Sequence, residues 1–105
     1  MYLDDIAAQI RSRIDASDLP DGDTRQLFRL YATLCLAKGD GATAEDVHNL
    51  WAAWTAERDP AHDALVPVSK LDRQTVALDE PFARAIREVA ADHDRKPRVA
   101  ETQAG

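Results

Sequence analysis

The stretch 43–79 limits what this chain can fold into more than any other part of the sequence. It holds both tryptophans and two of the three histidines. Thr43 and Asp46 form a capping box, which starts a helix sharply, and the proline at Pro60 ends that helix because the residue before a proline resists helical geometry. The apolar run 65–68 is too short for a helix and indicates an extended segment. We therefore expect the helix and the loop after it to fold against each other.

Two amphipathic helices are predicted before this stretch. One covers roughly 3–16, where apolar residues recur at three- and four-residue steps. The second begins at Asp23 or Thr24 and runs to about Lys38, where Gly39 closes it. Apolar side chains cover well over half of its circumference, and they are Leu27, Phe28, Leu30, Tyr31, Leu34, Cys35 and Leu36. Such a helix is either the central core element or part of an oligomer interface, and we expect both roles.

Two further helices are predicted after the extended run. Ser69 and Asp72 offer a second capping box for a short helix, and Asp79 is expected to cap a last helix that carries a proline in its first turn. The polar tail, residues 94–105, is expected to be disordered. The predicted fold is therefore mainly α, a small five-helix domain over residues 1–93 with a short extended Leu-Val-Pro segment.

Composition and charge exclude several classes of protein. A chain of 105 residues can bury one modest hydrophobic core, so a single domain is expected. The net charge of -6 argues against a nucleic-acid polymer or an anionic membrane as the partner. No run approaches the ~20 apolar residues of a membrane span, and the acidic N-terminus is unlike a signal peptide. The one cysteine, Cys35, fits a reducing cytoplasm, which is the predicted location.

The residue types that carry catalysis are few and poorly spaced. The three histidines have no His, Cys or acidic partner at a ligand spacing, so no metal and no other cofactor is expected. Ser69 is better explained as a helix cap than as an activated hydroxyl. Cys35 lies among apolar neighbours, which make a thiol unreactive. No glycine-rich phosphate loop is present. We therefore expect a protein that is not an enzyme.

One edge of the third helix offers a binding face instead. His48, Trp51 and Thr55 lie at three- and four-residue steps and so share that edge, next to the apolar stripe that contains Trp54. Packing into the core is the simplest explanation of a tryptophan at such a position. An exposed indole face is the alternative, because an aromatic ring near a cationic side chain suits a planar base that bears an anionic group.

Residues 43–92 contain a His-x-x-Trp pair followed by a His-x-x-Leu-Val-Pro element. In this they resemble the RyR domain, the small module repeated in ryanodine receptors and also found in bacterial and phage proteins. The residues that carry the resemblance are Ala44, Glu45, His48, Trp51, His62, Leu65, Val66, Pro67, Leu71 and Asp79. The hairpin that usually separates the two elements is missing here, since the link between them is too short to hold it.

The resemblance implies a ligand-binding site and an oligomeric state. In the receptor repeats the matching positions line a pocket for adenine nucleotides, and here they are Trp51, Thr55, His62 and Asp79. Recognition of a phosphate would fall to Arg58, Lys70 or Arg73, which lie near the same loop in sequence. The receptor repeats come as pairs related by a pseudo-two-fold axis. A chain with a single copy is therefore expected to form a homodimer.

The expected function is that of a non-catalytic module that binds or sequesters a nucleotide-derived small molecule. If the chain is phage-encoded, this module would act in the host cytoplasm as a sponge against cyclic-nucleotide defence signalling. The alternative is a protein-protein interaction adaptor that docks a partner chain through its acidic surface and its tryptophan face and takes no small ligand. A screen of nucleotides by thermal shift separates the two.

Overall fold

The computed structural model describes residues 1–104, with side chains for residues 1–93. Helices account for most of it, and no strand occurs among residues 1–104, so the mainly α prediction is confirmed. The helices are α1 (Tyr2–Ser12), α2 (Arg25–Lys38), α3 (Ala44–Arg58), α4 (Arg73–Ala77) and α5 (Glu80–Ala104). The predicted short fourth helix is reduced to the five residues of α4, and the predicted five-helix count is not confirmed. The predicted disordered tail, 94–105, lies outside the part described in full and stays a prediction.

The ends of the first three helices follow from local chemistry. α3 begins with the predicted capping box, in which the Thr43 hydroxyl accepts from the Asp46 amide and the Asp46 carboxylate accepts from the Thr43 amide. α2 ends at Gly39, whose φ of 56° lies in the region that favours glycine. α1 is shorter than predicted and stops at Ser12. The chain turns there because Asp15 accepts from the Ser17 amide and caps a short 3-10 turn instead.

α2 is the central helix of the molecule, and it packs against α1, α3 and α5. Its buried side chains include Phe28, Tyr31 and Cys35. The rings of Phe28 and Tyr31 meet edge to face at 5.3 Å, and Phe82 from α5 lies 5.6 Å from Tyr31. Neighbouring helices of the same chain therefore cover the broad apolar face on which a homodimer was predicted. Of the predicted face, Leu36 is left 55% exposed.

The segment between α3 and α4 contains no strand and differs from the predicted layout in one respect. Its apolar run passes into a 3-10 turn, Val68–Lys70, closed by hydrogen bonds from the amides of Lys70 and Leu71. Ser69 lies inside this turn and cannot cap α4. Asp72 is the cap, since its carboxylate accepts from the Thr75 amide at 2.7 Å. We call residues 59–72 the α3–α4 loop.

Two surface ion pairs join α1 and the residues after it to neighbouring helices. The Arg29 guanidinium on α2 reaches the Asp4 carboxylate on α1 with two hydrogen bonds, and the nearer contact is 2.8 Å. Arg13, just after α1, pairs with Asp92 on α5. Within residues 1–104, none of the helices is long and apolar enough to cross a bilayer.

Candidate functional site

A cavity of about 330 Å³ opens between α3, the α3–α4 loop and the start of α5. This volume lies at the lower end of the range for small-molecule sites, about 300–1,000 Å³. Twelve side chains line it, of which six are apolar or aromatic and six are polar, and the polar ones are Ser17, Asp18, His48, His62, Thr75 and Asp79. The residues that matter below are Tyr31, His48, Trp51, His62, Asp79 and Phe82.

His48 connects α3 to the α3–α4 loop at the wall of this cavity. Its imidazole is 3% exposed, and its Nε2 lies 2.7 Å from the carbonyl oxygen of Val66. A carbonyl can only accept, so Nε2 carries the hydrogen and the neutral ring has an acceptor at Nδ1. That second nitrogen faces the Asp79 carboxylate at 3.8 Å, which is too long for a hydrogen bond. The side chain thus fixes the loop with one nitrogen and leaves the other for the cavity.

Asp79 brings a carboxylate into the cavity from the turn before α5. Its side chain is 16% exposed, and burial raises its pKa to about 6, against a smaller opposing effect of His48. Its backbone carbonyl accepts from the Ala83 amide, as expected of a residue that begins a helix. Its carboxylate makes no hydrogen bond within the described part of the chain, so the predicted side-chain cap is absent there. The carboxylate faces His48 instead.

Trp51 forms an aromatic wall of the cavity together with two histidines. Its indole is partly buried, lies nearly parallel to the His48 ring at 5.7 Å, and meets the His62 ring edge-on at 5.1 Å. His62 is exposed, but its orientation is set because its Nδ1 accepts from the Ala64 amide at 3.0 Å. The loop therefore places one histidine against the indole and α3 places the other.

Tyr31 forms the floor of the cavity and was not predicted as a site residue. It is 1% exposed, and burial raises the pKa of its phenol, with a further contribution from the negative charge of Asp79. Its hydroxyl has no hydrogen-bond partner among the side chains that the structure describes. Sequence reasoning assigned Tyr31 to the apolar face of α2, and no signal in the sequence separates it from a phenylalanine at that position.

The other four predicted site residues lie away from this cavity. Thr55 is buried one helical turn beyond Trp51, about 6 Å further along the axis, and its hydroxyl lacks a partner in the described structure. Arg58 lies over the ring of Trp54 at 4.2 Å, beside a separate depression that also contains Arg25 and Arg29. Lys70 and Arg73 are exposed and do not line the cavity.

Two details modify the earlier assignments around α3. Trp54, predicted as a core residue, is only partly buried, and its Nε1 is enclosed without a hydrogen-bond partner in the described structure. Among the described residues, no group of three or more His, Cys, Asp or Glu side chains is arranged to hold a metal ion. Of the eight predicted site residues, the structure brings four to one cavity, namely His48, Trp51, His62 and Asp79.

Comparison with known proteins corrects the family assignment. A family model described as a domain of unknown function, DUF7701, matches residues 1–91, and no RyR domain family is found. No curated protein and no solved structure gave a significant match. The predicted RyR family is therefore wrong, although two residues of its motif, His48 and Val66, are joined by a hydrogen bond in this fold. The adenine-nucleotide ligand, the role in phage counter-defence and the pairing of copies came with that resemblance, and they have no support from the comparisons.

Proposed function

The chain belongs to the DUF7701 family, and we propose that it is a non-catalytic module that binds a small planar ligand in the cavity beside Trp51. The observation that carries the proposal is the convergence of three polar groups without hydrogen-bond partners in the described structure. They are the Tyr31 hydroxyl, the Nδ1 atom of His48 and the Asp79 carboxylate, and all three residues line the same cavity.

The open hydrogen-bonding capacity of these three groups supports a ligand. Each residue faces the cavity, so each group can bond to a molecule that enters it, and a ligand that provides the matching partners gains those bonds. Proteins concentrate such groups at binding sites, where a ligand provides the missing partners. A donor at Tyr31, an acceptor at His48 and a carboxylate at Asp79 can orient a ligand that has its own donors and acceptors.

The shape of the cavity favours a flat molecule. The Trp51 indole forms one wall, and the Phe82 ring lies against Tyr31 at the floor. Flat aromatic walls stack on planar rings and exclude water from their faces. A volume of about 330 Å³ accommodates a one- or two-ring compound.

Charge also argues against an anionic ligand such as a nucleotide. Neither lysine nor arginine is among the side chains that line the cavity, whereas Asp18 and Asp79 are. A phosphate would find no cationic partner there.

Tryptophan fluorescence tests the proposal. In a Trp54→Phe variant, Trp51 is the one remaining indole, so quenching or a spectral shift on addition of a fragment reports on the cavity wall. We expect members of a library of planar one- and two-ring compounds to change this signal and to raise the melting temperature of the wild type. A ligand at 100 times its dissociation constant adds about 2.7 kcal/mol to the free energy of unfolding.

A matched control shows whether the compounds bind in the cavity or elsewhere on the surface. Trp51→Ala should remove the thermal shift, with a loss of roughly 1–3 kcal/mol of binding free energy for a stacked ring, whereas Trp54→Phe should keep it. If no planar compound perturbs Trp51, or if Trp51→Ala binds as the wild type does, the proposed function is wrong.

The adaptor alternative stays a prediction that no single observation favours. Among the side chains of residues 1–93, the exposed large apolar ones come from three different segments, and they are Met1, Tyr2, Leu36 and Leu78. An adaptor would dock a partner chain with Trp51 intact and show no change in melting temperature with any small compound.

A further inference from the structure

The side chains of Asp and Glu, Lys and Arg type that line the cavity are all acidic. Asp18 comes from the turn after α1 and Asp79 from the turn before α5, and no lysine or arginine lines the space between them. The chain as a whole carries a net charge of -6. A positively charged ligand therefore enters a negative potential, while an anion is repelled over the same path.

The Asp79 carboxylate is the group in most need of a donor. It is largely removed from water, and in the described structure no side chain or amide donates to it. The nearest polar neighbour, Nδ1 of His48, is 3.8 Å away. A carboxylate in this position gains most from a charge-assisted pair of N–H donors, because such bonds are about twice as strong as neutral ones.

The aromatic walls favour the same chemistry. A cation over the face of a tryptophan, tyrosine or phenylalanine is attracted by the ring quadrupole, and the attraction grows when water is excluded. Trp51, Tyr31 and Phe82 surround the approach to Asp79. A planar cation can thus stack on the indole and direct its N–H groups to the carboxylate.

We propose that the cavity selects a planar cation of the amidinium or protonated aminoheterocycle class, which pairs with Asp79 and stacks on Trp51. This inference rests on the proposed function and names the ligand class of that site. Tyr31 contributes the hydroxyl at the floor, where it can contact the bound group. His48 supplies the neighbouring acceptor while it holds the loop in place.

Three compounds of matched shape test the charge requirement. Benzamidine, benzamide and benzoate share a phenyl ring and a planar three-atom head, but they carry a positive charge, no charge and a negative charge. We expect benzamidine to bind at least about tenfold more tightly than benzamide, the size of one charge-assisted hydrogen-bonding pair. Benzoate should bind more weakly than either. Isothermal titration calorimetry or ligand-observed NMR gives the three dissociation constants.

Two aspartate variants locate the source of that preference. Asp79→Asn should reduce the preference for benzamidine over benzamide to about twofold or less, since the amide keeps the shape and loses the charge. Asp40→Asn is the matched control, because Asp40 is exposed in the Gly39–Gly41 turn and does not line the cavity. It changes the net charge of the chain by the same amount, and it should keep the preference.

The pH dependence of binding gives a second readout. Asp79 gains its proton as the pH falls through about 6, so the wild type should lose its preference for the cation below that pH. The other titratable groups that face Asp79 or the cavity are His48, His62, Tyr31 and Asp18. Protonation of either histidine also disfavours a cation, and the difference between wild type and Asp79→Asn isolates the carboxylate.

The outcomes that overturn this inference differ from those that overturn the proposed function. Equal or tighter binding of benzamide or benzoate, or an unchanged preference in Asp79→Asn, refutes the cation class while planar fragments still bind beside Trp51. If planar compounds of every charge fail to perturb Trp51, the site itself is wrong and both proposals fail.

Discussion

Asp79→Asn should make the folded protein more stable at neutral and alkaline pH. The wild-type carboxylate is held in a largely buried position without a hydrogen bond in the described structure, and burial raises its pKa from 3.8 to about 6. An asparagine has nearly the same shape and never ionises. The substitution therefore removes the free-energy cost of a charge that the fold solvates poorly.

The size of the effect follows from linkage between protonation and folding. A carboxyl whose pKa is higher in the folded state favours folding below its unfolded pKa and loses that contribution as the pH rises through the folded value. The difference between 3.8 and about 6 corresponds to about 3 kcal/mol. The side chain is still 16% exposed, and water reduces the cost of its charge. We therefore expect the free energy of unfolding to rise by about 1.5–3 kcal/mol in Asp79→Asn above pH 6, and hardly at all below pH 3.8.

Urea unfolding at a series of pH values measures this difference directly. The free energy of unfolding of the wild type is subtracted from that of Asp79→Asn at each pH, which cancels the titration of the other carboxylates. The difference should rise between pH 3.8 and about 6 and then level off. Asp40→Asn, an exposed site, should give a difference near zero at every pH.

A uniform loss of stability in Asp79→Asn would refute this reasoning. It would mean that the carboxylate is stabilised by His48 and not destabilised by burial. A gain in stability together with a loss of benzamidine binding is the expected combination. It is the pattern of a residue kept for binding at the expense of stability.

Three further predictions concern single side chains near the cavity and in α2. His48→Ala should lower the free energy of unfolding by about 1–3 kcal/mol, because the Val66 carbonyl loses its partner. Hydrogen exchange should also accelerate in the α3–α4 loop. Unchanged exchange there would show that the contact does not hold the loop. Tyr31→Phe should change the free energy of unfolding by less than about 1 kcal/mol, since the hydroxyl has no partner to lose. It should nevertheless weaken binding of the planar probe. Equal binding by this variant and the wild type would mean that Tyr31 is not part of the site. Cys35, buried on α2, should react with a thiol reagent only when denaturant is added, whereas fast labelling in native buffer would mean that α2 is exposed.

The sequence was most informative where a local interaction decides the structure. The Thr43–Asp46 capping box sets the start of α3 through contacts within four residues, and Gly39 ends α2 through its own backbone geometry. Helical spacing likewise placed His48 and Trp51 on one edge of α3. Each of these features depends on neighbours along the chain, so the pattern alone predicts it.

The sequence was least informative where distant elements meet. Nothing local indicates that Tyr31 of α2 lies across a cavity from Asp79, because an apolar helix face looks the same whether a helix or an empty space covers it. Thr55 fits the spacing of the binding edge and Arg58 lies near the loop in sequence, but Thr55 lies in the interior and Arg58 lies over Trp54. Ser69 has the sequence of a cap and fails because three residues tighten into a 3-10 turn.

The bond between His48 and Val66 has a consequence for how this domain can vary. The imidazole contacts a backbone carbonyl, which every amino acid provides, so the bond requires a histidine on α3 but no particular side chain in the loop. Members of the family can therefore change the loop residues that line the cavity, here His62 and Ala64, without releasing the loop. Ligand preference can diversify on one side of the cavity while the helix beneath it keeps its residues.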